Sequence, residues 1–278
     1  MKNDEKKSES NKTWESKYFD YYSLGEYADE EGQTLALIDS GVSKFQTKKI
    51  KKAKSFTDND FDNNGHGTMM CSLILGYNNE ICGIAPKVDI ISYNIVDENG
   101  KTEPDIMAEA IYGAIKDKVD VINISMGSYF DNSKVRNAVK MAYDNNILIV
   151  AAAGDYGSTQ MLYPARYDEC ISVGAMDSIG SIWEGTDGAD KCDIISPGVD
   201  VTTIGINREK YLTTGTSQAT ALISGYVVLL KNYAKKIDTY ISVRDIKTIL
   251  QKIQRKNISF KEGFSEIERI KKQKKLLN

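Results

Sequence analysis

The sequence predicts an α/β domain, a mostly parallel central sheet with helices on both faces, and three observations predict it. First, Thr34-Leu35-Ala36-Leu37-Ile38-Asp39 and residues 147–153 are continuous apolar runs without alternation. That is the pattern of parallel strands buried on both sides. Second, such runs alternate with segments of helical composition, as at residues 104–116 and 132–145, which is the order expected of α/β layers. Third, an apolar stretch over residues 219–230 follows Gly215-Thr216-Ser217 at once and has the composition of a buried helix.

Along the chain, residues 1–13 are charged and are expected to form a disordered tail ahead of one domain over 14–278. Residues 14–31 read as a polar, Tyr-rich lead-in. The strand ending in Asp39-Ser40-Gly41 is followed by a Lys-, Asp- and Asn-rich loop over 43–64, then Gly65-His66-Gly67-Thr68 and an apolar helix. Residues 88–96 predict a strand, 104–116 a helix with Pro in its first turn, and 119–125 a strand. The amphipathic helix over 132–145 has Asp131, Asn132 or Ser133 as its cap. Strands follow at 147–153, 170–173 and 193–196, with a hairpin around Asn207. Ser242-Val243-Arg244-Asp245 resembles a capping box and opens a helix to about Arg255. The basic segment 267–277 fits a solvated helix held by its Ile and Leu, or else a contact for an anionic partner.

Composition excludes several classes. The chain has 278 residues and a formal net charge of -3, so no global field favours nucleic acid. No apolar run is as long as a membrane span. The first residues lack a signal-peptide core, so a cytoplasmic location is expected. Cys71, Cys82, Cys170 and Cys192 show no metal-ligand spacing and are expected as free, buried thiols. There is no dinucleotide or phosphate-loop glycine signature, so no cofactor is expected.

Three residues stand out chemically. Asp39 ends a buried strand at the carboxyl edge, where open α/β sheets bind ligands; it could equally cap a turn. His66 is the only histidine, lies between two glycines at a helix start, and is the one side chain here ordinarily suited to proton transfer near neutrality. Ser217 opens a buried helix, beside unpaired N–H groups that favour negative charge; a plain N-cap is the alternative.

Together, Ile38-Asp39-Ser40-Gly41, Asn64-Gly65-His66-Gly67-Thr68 and Gly215-Thr216-Ser217 resemble the three signature blocks of the subtilisin-like serine proteases, in that family's order. The likeness spans about residues 33–231 and takes in Gly83-Ile84-Ala85-Pro86, Tyr163-Pro164-Ala165 and Ser196-Pro197-Gly198. It implies a three-layer fold and peptide-bond hydrolysis by a Ser217, His66 and Asp39 triad. It also implies that Ser125, Met126 and Gly127 pair with an extended peptide, and that Ala152, Ala153, Gly154, Leu162 and Ala165 border a restricted pocket. Asp97, Glu98, Glu103 and Asp105 would lend at most weak acidity to more distant subsites. A monomer acting on a peptide or precursor-protein substrate is expected.

The departures from pattern are specific. Where the family has an Asn that donates to the oxyanion, this chain has Asp155. Losing such a donor costs about 2.7–4 kcal/mol, a figure measured on subtilisin itself. A protonated Asp155, sharing the oxyanion hole with Ser217, would restore it. The Pro after the nucleophile block is absent, and the segments that hold the family's strong calcium ion look altered, so no metal is expected. A short N-terminus resembles intracellular members, among them lantibiotic leader peptidases. A pseudoprotease that binds peptides without cutting and a general degradative protease are the rival readings.

Overall fold

The computed structural model describes residues 13–27, 32–78, 80–256 and 258–277. The expected disordered tail therefore lies almost wholly outside the described residues. Seven strands form one sheet in the order β2-β5-β1-β6-β7-β8-β9, with every pairing parallel. They are β1 (Thr34–Asp39), β2 (Lys52–Ser55), β5 (Asp89–Asn94), β6 (Val121–Ile124), β7 (Leu148–Ala152), β8 (Cys170–Met176) and β9 (Ile194–Pro197).

Successive side chains of a strand point to opposite faces, and here the two faces feed two cores. Leu35, Leu37, Leu148 and Val150 join one core, while Ala36, Ile38, Ile149 and Ala151 join the other. The first core is covered by helices α3 (His66–Leu75) and α6 (Thr216–Lys236), the second by α4 (Pro104–Lys116) and α5 (Ser133–Asp144). This is why the strands read as unbroken apolar runs: neither face meets water. The sequence-level caps are in place as well. Asn132 Oδ1 accepts from the N–H groups of Lys134 and Val135, and Ser242 and Asp245 exchange bonds at the start of α7 (Val243–Lys256).

Four features differ from the sequence reading. β2, with the sequence Lys-Ala-Lys-Ser, lies in what reads as a polar loop. It is an edge strand, and exposed lysines suit an edge that must not pair further. The hairpin β3–β4 (Gly76–Tyr77 and Ile81–Cys82) is too short to leave a pattern, unlike β10–β11 (Val201–Ile204 and Lys210–Thr213), which surrounds Asn207 as expected. The lead-in forms two short helices, α1 (Trp14–Tyr18) and α2 (Tyr21–Gly25). Aromatic residues that follow these two helices pack on the first turns of a longer helix, α8 (Phe260–Leu277), to which the basic C-terminal segment belongs. Phe19 meets Phe260 at 4.2 Å between ring centroids, and Tyr27 stacks on Phe264 at 3.8 Å. Phe260, Phe264 and Ile267 bury α8, whereas Leu276 is exposed.

The cysteines are free, but only Cys71 and Cys170 are buried; Cys82 is exposed and Cys192 half-buried. Burial pushes the Cys71 thiol up to about 12. Among the described residues, no helix is long and apolar enough to cross a membrane.

Candidate active site

β1, β6 and β7 lie side by side, and the chain turns to opposite sides of β1, with β5 on one flank and β6 on the other. Ligands of open α/β sheets bind at such a switch, beyond the carboxyl ends of the strands. Asp39 ends β1, Ser125 follows β6 and Ala153 follows β7, so three strands deliver their next residues to one rim.

Asp39 is fully buried. Its Oδ1 accepts from the backbone N–H of Ser40 at 2.7 Å and meets His66 Nδ1 at 2.8 Å, while Oδ2 is buried with no partner. The approach is possible because residue 67 is glycine. A Cβ there would stand 2.1 Å from the Gly41 carbonyl oxygen and 3.1 Å from Asp39 Oδ1. His66 itself keeps 32% of its side chain exposed. Burial pulls the imidazole pKa down, but the Asp39 carboxylate outweighs it by charge and hydrogen bond. With Asp62 and Asp155 adding to the field, the pKa ends above its ordinary value.

Asp62, which lies in what reads as a polar loop, holds this half together. It is buried, and its Oδ1 accepts from Ser40 Oγ at 2.9 Å and Gly65 N at 2.7 Å. Its Oδ2 accepts from Thr68 N at 2.9 Å and Thr68 Oγ1 at 2.5 Å. Ser40 Oγ in turn accepts from Gly67 N at 2.9 Å. The first N–H groups of α3, which a helix leaves unpaired, are therefore tied to the residue beside Asp39. The legible signal was an Asp four residues before the lone His in a Gly-rich helix start.

Ser217 lies at the second position of α6, with Gly215 at the cap, so a plain N-cap role is ruled out by register. The Ser217 hydroxyl is 2.9 Å from the Ser125 carbonyl oxygen and donates to it, and no hydrogen bond joins it to His66. Ser125 Oγ returns a bond to the Ser217 carbonyl at 3.3 Å and accepts from Asn123 Nδ2 at 3.0 Å; Asn123 Oδ1 accepts from Ser224 Oγ at 2.9 Å. This chain of polar groups fixes the end of β6 against α6.

Asp155 is engaged through one of its two oxygens. It is exposed, and its Oδ1 accepts from Thr216 N at 2.8 Å and Thr216 Oγ1 at 2.7 Å. The carboxylate thus serves as an acceptor at the start of α6, where negative charge is favoured.

Residues 125–128 and 152–154 face one another across Leu162. Added Cβ atoms at Gly127 and Gly154 would stand 2.9 Å from Leu162 Cβ and 2.8 Å from Leu162 Cγ. The Leu162 side chain therefore fills the gap between these two backbone walls. Its own N–H donates to the Ala153 carbonyl at 2.8 Å, and Ser128 and Tyr163 exchange bonds at 2.9 and 2.7 Å. Met126 is half-buried and Gly127 exposed, whereas Ala152 and Ala153 are buried. Ala165 is buried in the second core. The sequence reading missed Asp187, a fully buried acid behind Gly154. Its Oδ2 accepts from Tyr129 OH at 2.8 Å, and its Oδ1 from Tyr156 N and Ser158 N at 3.2 and 2.6 Å.

Beside residues 127–128 lies a second, mainly apolar hollow of about 70 Å³, with Met107, Phe130, Val135 and Tyr163 in its walls. Thr102 Oγ1, also in that wall, is buried without a partner. Two of the acids expected to colour the distant subsites, Asp97 and Asp105, are engaged elsewhere. Asp97 accepts from the N–H groups of Asn99 and Lys101, and Asp105 pairs with Lys134 Nζ at 2.5 Å. Among the described residues, no group of His, Cys, Asp and Glu is arranged to hold a metal ion.

The sequence profile of the subtilase family matches residues 30–265. The chain is a subtilase. A thermophilic serine proteinase of Bacillus sp. (strain AK1) is 34% identical over 73% of this chain and 53% of its own length. An intracellular serine protease of Paenibacillus polymyxa is 32% identical over 73% and 68%. The subtilase chain thus spans about half the length of the first of these relatives. Among solved structures, the prenylagaramide maturation protease PagA superposes with a TM-score of 0.76 over 89% of this chain and 98% of that one, at 21% identity. The protease domain of PatA gives a TM-score of 0.73 over 80% and 88%, at 23% identity. These likenesses establish the shared fold: a parallel seven-stranded sheet between helical layers.

Proposed function

We propose that this subtilase is a serine endopeptidase in which Ser217, His66 and Asp39 act as a triad. The observation that carries the reading is the 2.8 Å contact between His66 Nδ1 and fully buried Asp39, at the rim where Ser217 opens α6. With Nδ1 held by the carboxylate, the imidazole presents Nε2 as its basic atom. On this reading, a bound peptide turns the Ser217 hydroxyl from the Ser125 carbonyl toward Nε2. Oγ then attacks the peptide carbonyl, His66 takes the Oγ proton and passes it to the leaving amine, and Asp39 stabilises the imidazolium. Water repeats the sequence on the acyl-enzyme.

We further propose narrow specificity, as in a processing protease acting on a precursor peptide in the cytoplasm. Leu162 supports this by filling the space between the walls at residues 127 and 154, which leaves room for a small side chain before the cut. A leader peptidase of a lantibiotic precursor is one member of that class. A scaffold that binds peptides without cutting is the second reading, favoured by the Ser217 hydroxyl bonding to Ser125 and by the acceptor role of Asp155. Labelling of the full chain by a fluorophosphonate, absent in Ser217→Ala, supports the enzyme; an unlabelled wild-type chain that still binds peptide supports the scaffold. Cleavage of denatured casein at many sites would instead identify a degradative protease.

A further inference from the structure

Acyl transfer to a serine places negative charge on the carbonyl oxygen, and its rate depends on N–H donors aimed at that oxygen. Near Ser217 the helix start offers backbone N–H groups. The nearest side chain from the loop after β7 offers none: Asp155 Oδ1 is engaged by Thr216, and a carboxylate in this place repels the developing charge.

One neutral side chain shares that place. Gln218, next to Ser217 on α6, is 5% exposed. Its amide makes no hydrogen bond among the described residues, and its Oε1 is buried without a partner. Gln218 Oε1 and Asp155 Oδ2 each lie 2.8 Å from the point where a Cβ on Gly215 would stand. The amide and the carboxylate therefore lie together against the bare Cα of Gly215, the residue that caps α6. Buried polar groups are normally paired, and an amide left idle one residue from a nucleophile has both N–H bonds free. Its O and N exchange places by rotation of the terminal torsion, so a donor can take the place that Oε1 holds beside Gly215.

We propose that Gln218 is an oxyanion-binding residue whose Nε2–H donates to the scissile carbonyl oxygen and replaces the donor that Asp155 cannot supply. The inference rests on the endopeptidase reading. As Ser217 Oγ bonds to the carbonyl carbon, the π pair moves onto oxygen and the Oγ proton moves to His66. The Gln218 amide holds that oxygen and neither gains nor loses a proton. When the C–N bond breaks, the pair returns to the carbonyl and His66 protonates the amine.

The test compares the full-length wild type with Gln218→Met, which keeps the length of the side chain and removes the donor, and with isosteric Gln218→Glu. On a peptide that the wild type cleaves, kcat should fall about 10²–10³-fold in both variants, with KM unchanged. Inhibition by the matching peptide aldehyde, which forms the oxyanion, should weaken by the same factor. Binding of the reduced-bond peptide, which has no carbonyl, should not change. A Gln218→Met enzyme with wild-type kcat overturns the proposal. So does one that loses kcat and reduced-peptide affinity together, since that is the signature of disturbed packing; Gln218→Glu gives the same readings if the Met variant does not fold. A wild type that cleaves no peptide and takes no fluorophosphonate fails the endopeptidase reading first, and this inference with it.

Discussion

On the Asp39–His66 side of the cleft a buried carboxylate, Asp62, braces the start of the helix that carries the histidine, while around Ser217 no such brace among the described residues holds the side chains. Asp62 ties Ser40 to the first turn of α3 through bonds of 2.5–2.9 Å, although Asp39 Oδ2, Ser43 Oγ and Gln46 Oε1 are buried there without partners. Across the cleft, Ser217 Oγ bonds to a backbone carbonyl, Gln218 Oε1 has no partner, and Asp155 faces outward. On the proposed endopeptidase reading, the difference follows from what each half must do. A base needs a fixed tautomer before substrate arrives, and fixed dipoles provide it without reorganisation. The nucleophile and its oxyanion donors need bonding capacity left over for a ligand, and that leaves buried groups unsatisfied until one binds.

The largest break in this comparison should come from the ordered half. Asp39→Asn keeps the shape and removes the charge, and it should lower kcat by about 10⁴ while peptide binding by the reduced-bond analogue persists. A fall below tenfold would mean that His66 is not the base. In the open half, Asp155→Asn should raise kcat, by up to about 10², because its amide can still accept from Thr216 and adds a donor where Oδ2 now stands. An unchanged kcat would show that Gln218 already saturates the oxyanion.

Leu162→Ala tests the pocket between the halves. Acceptance of larger side chains before the cut should improve by about 10–200-fold relative to small ones, at a stability cost of about 2–5 kcal/mol. An unaltered preference, read from cleavage of a peptide library, would place the specificity pocket elsewhere. The smallest expected effect is on pH. Because the His66 pKa is raised, the acid limb of kcat/KM should lie above the usual ~6.5 and should move down in Asp39→Asn. The linked stability has the opposite sense. It is fully present below the ordinary histidine value and is lost as pH rises through the raised one, which a pH series of melting curves checks.

The order of strands and helices was legible because a strand covered on both faces has to be apolar throughout. Residues 34–39 and 147–153 announce themselves for that reason, and the lone histidine between glycines was equally visible. β2 was not, since an edge strand of lysines looks like a loop, and neither were Asp187 or Gln218. Their meaning depends on what lies beside them: the N–H groups of Tyr156 and Ser158 for one, the bare Cα of Gly215 for the other.

By itself, then, the amino-acid order determined the layers, the family and the three residues most suited to hydrolysis, because periodicity and short signature blocks are local properties. Tertiary structure alone decided that Asp62 braces the start of the helix carrying His66, that Asp155 Oδ1 accepts from Thr216, and that Leu162 fills the gap between residues 127 and 154. Those outcomes depend on close contacts of a few ångströms between side chains and backbone brought together only by folding, and no pattern along a single chain encodes such distances.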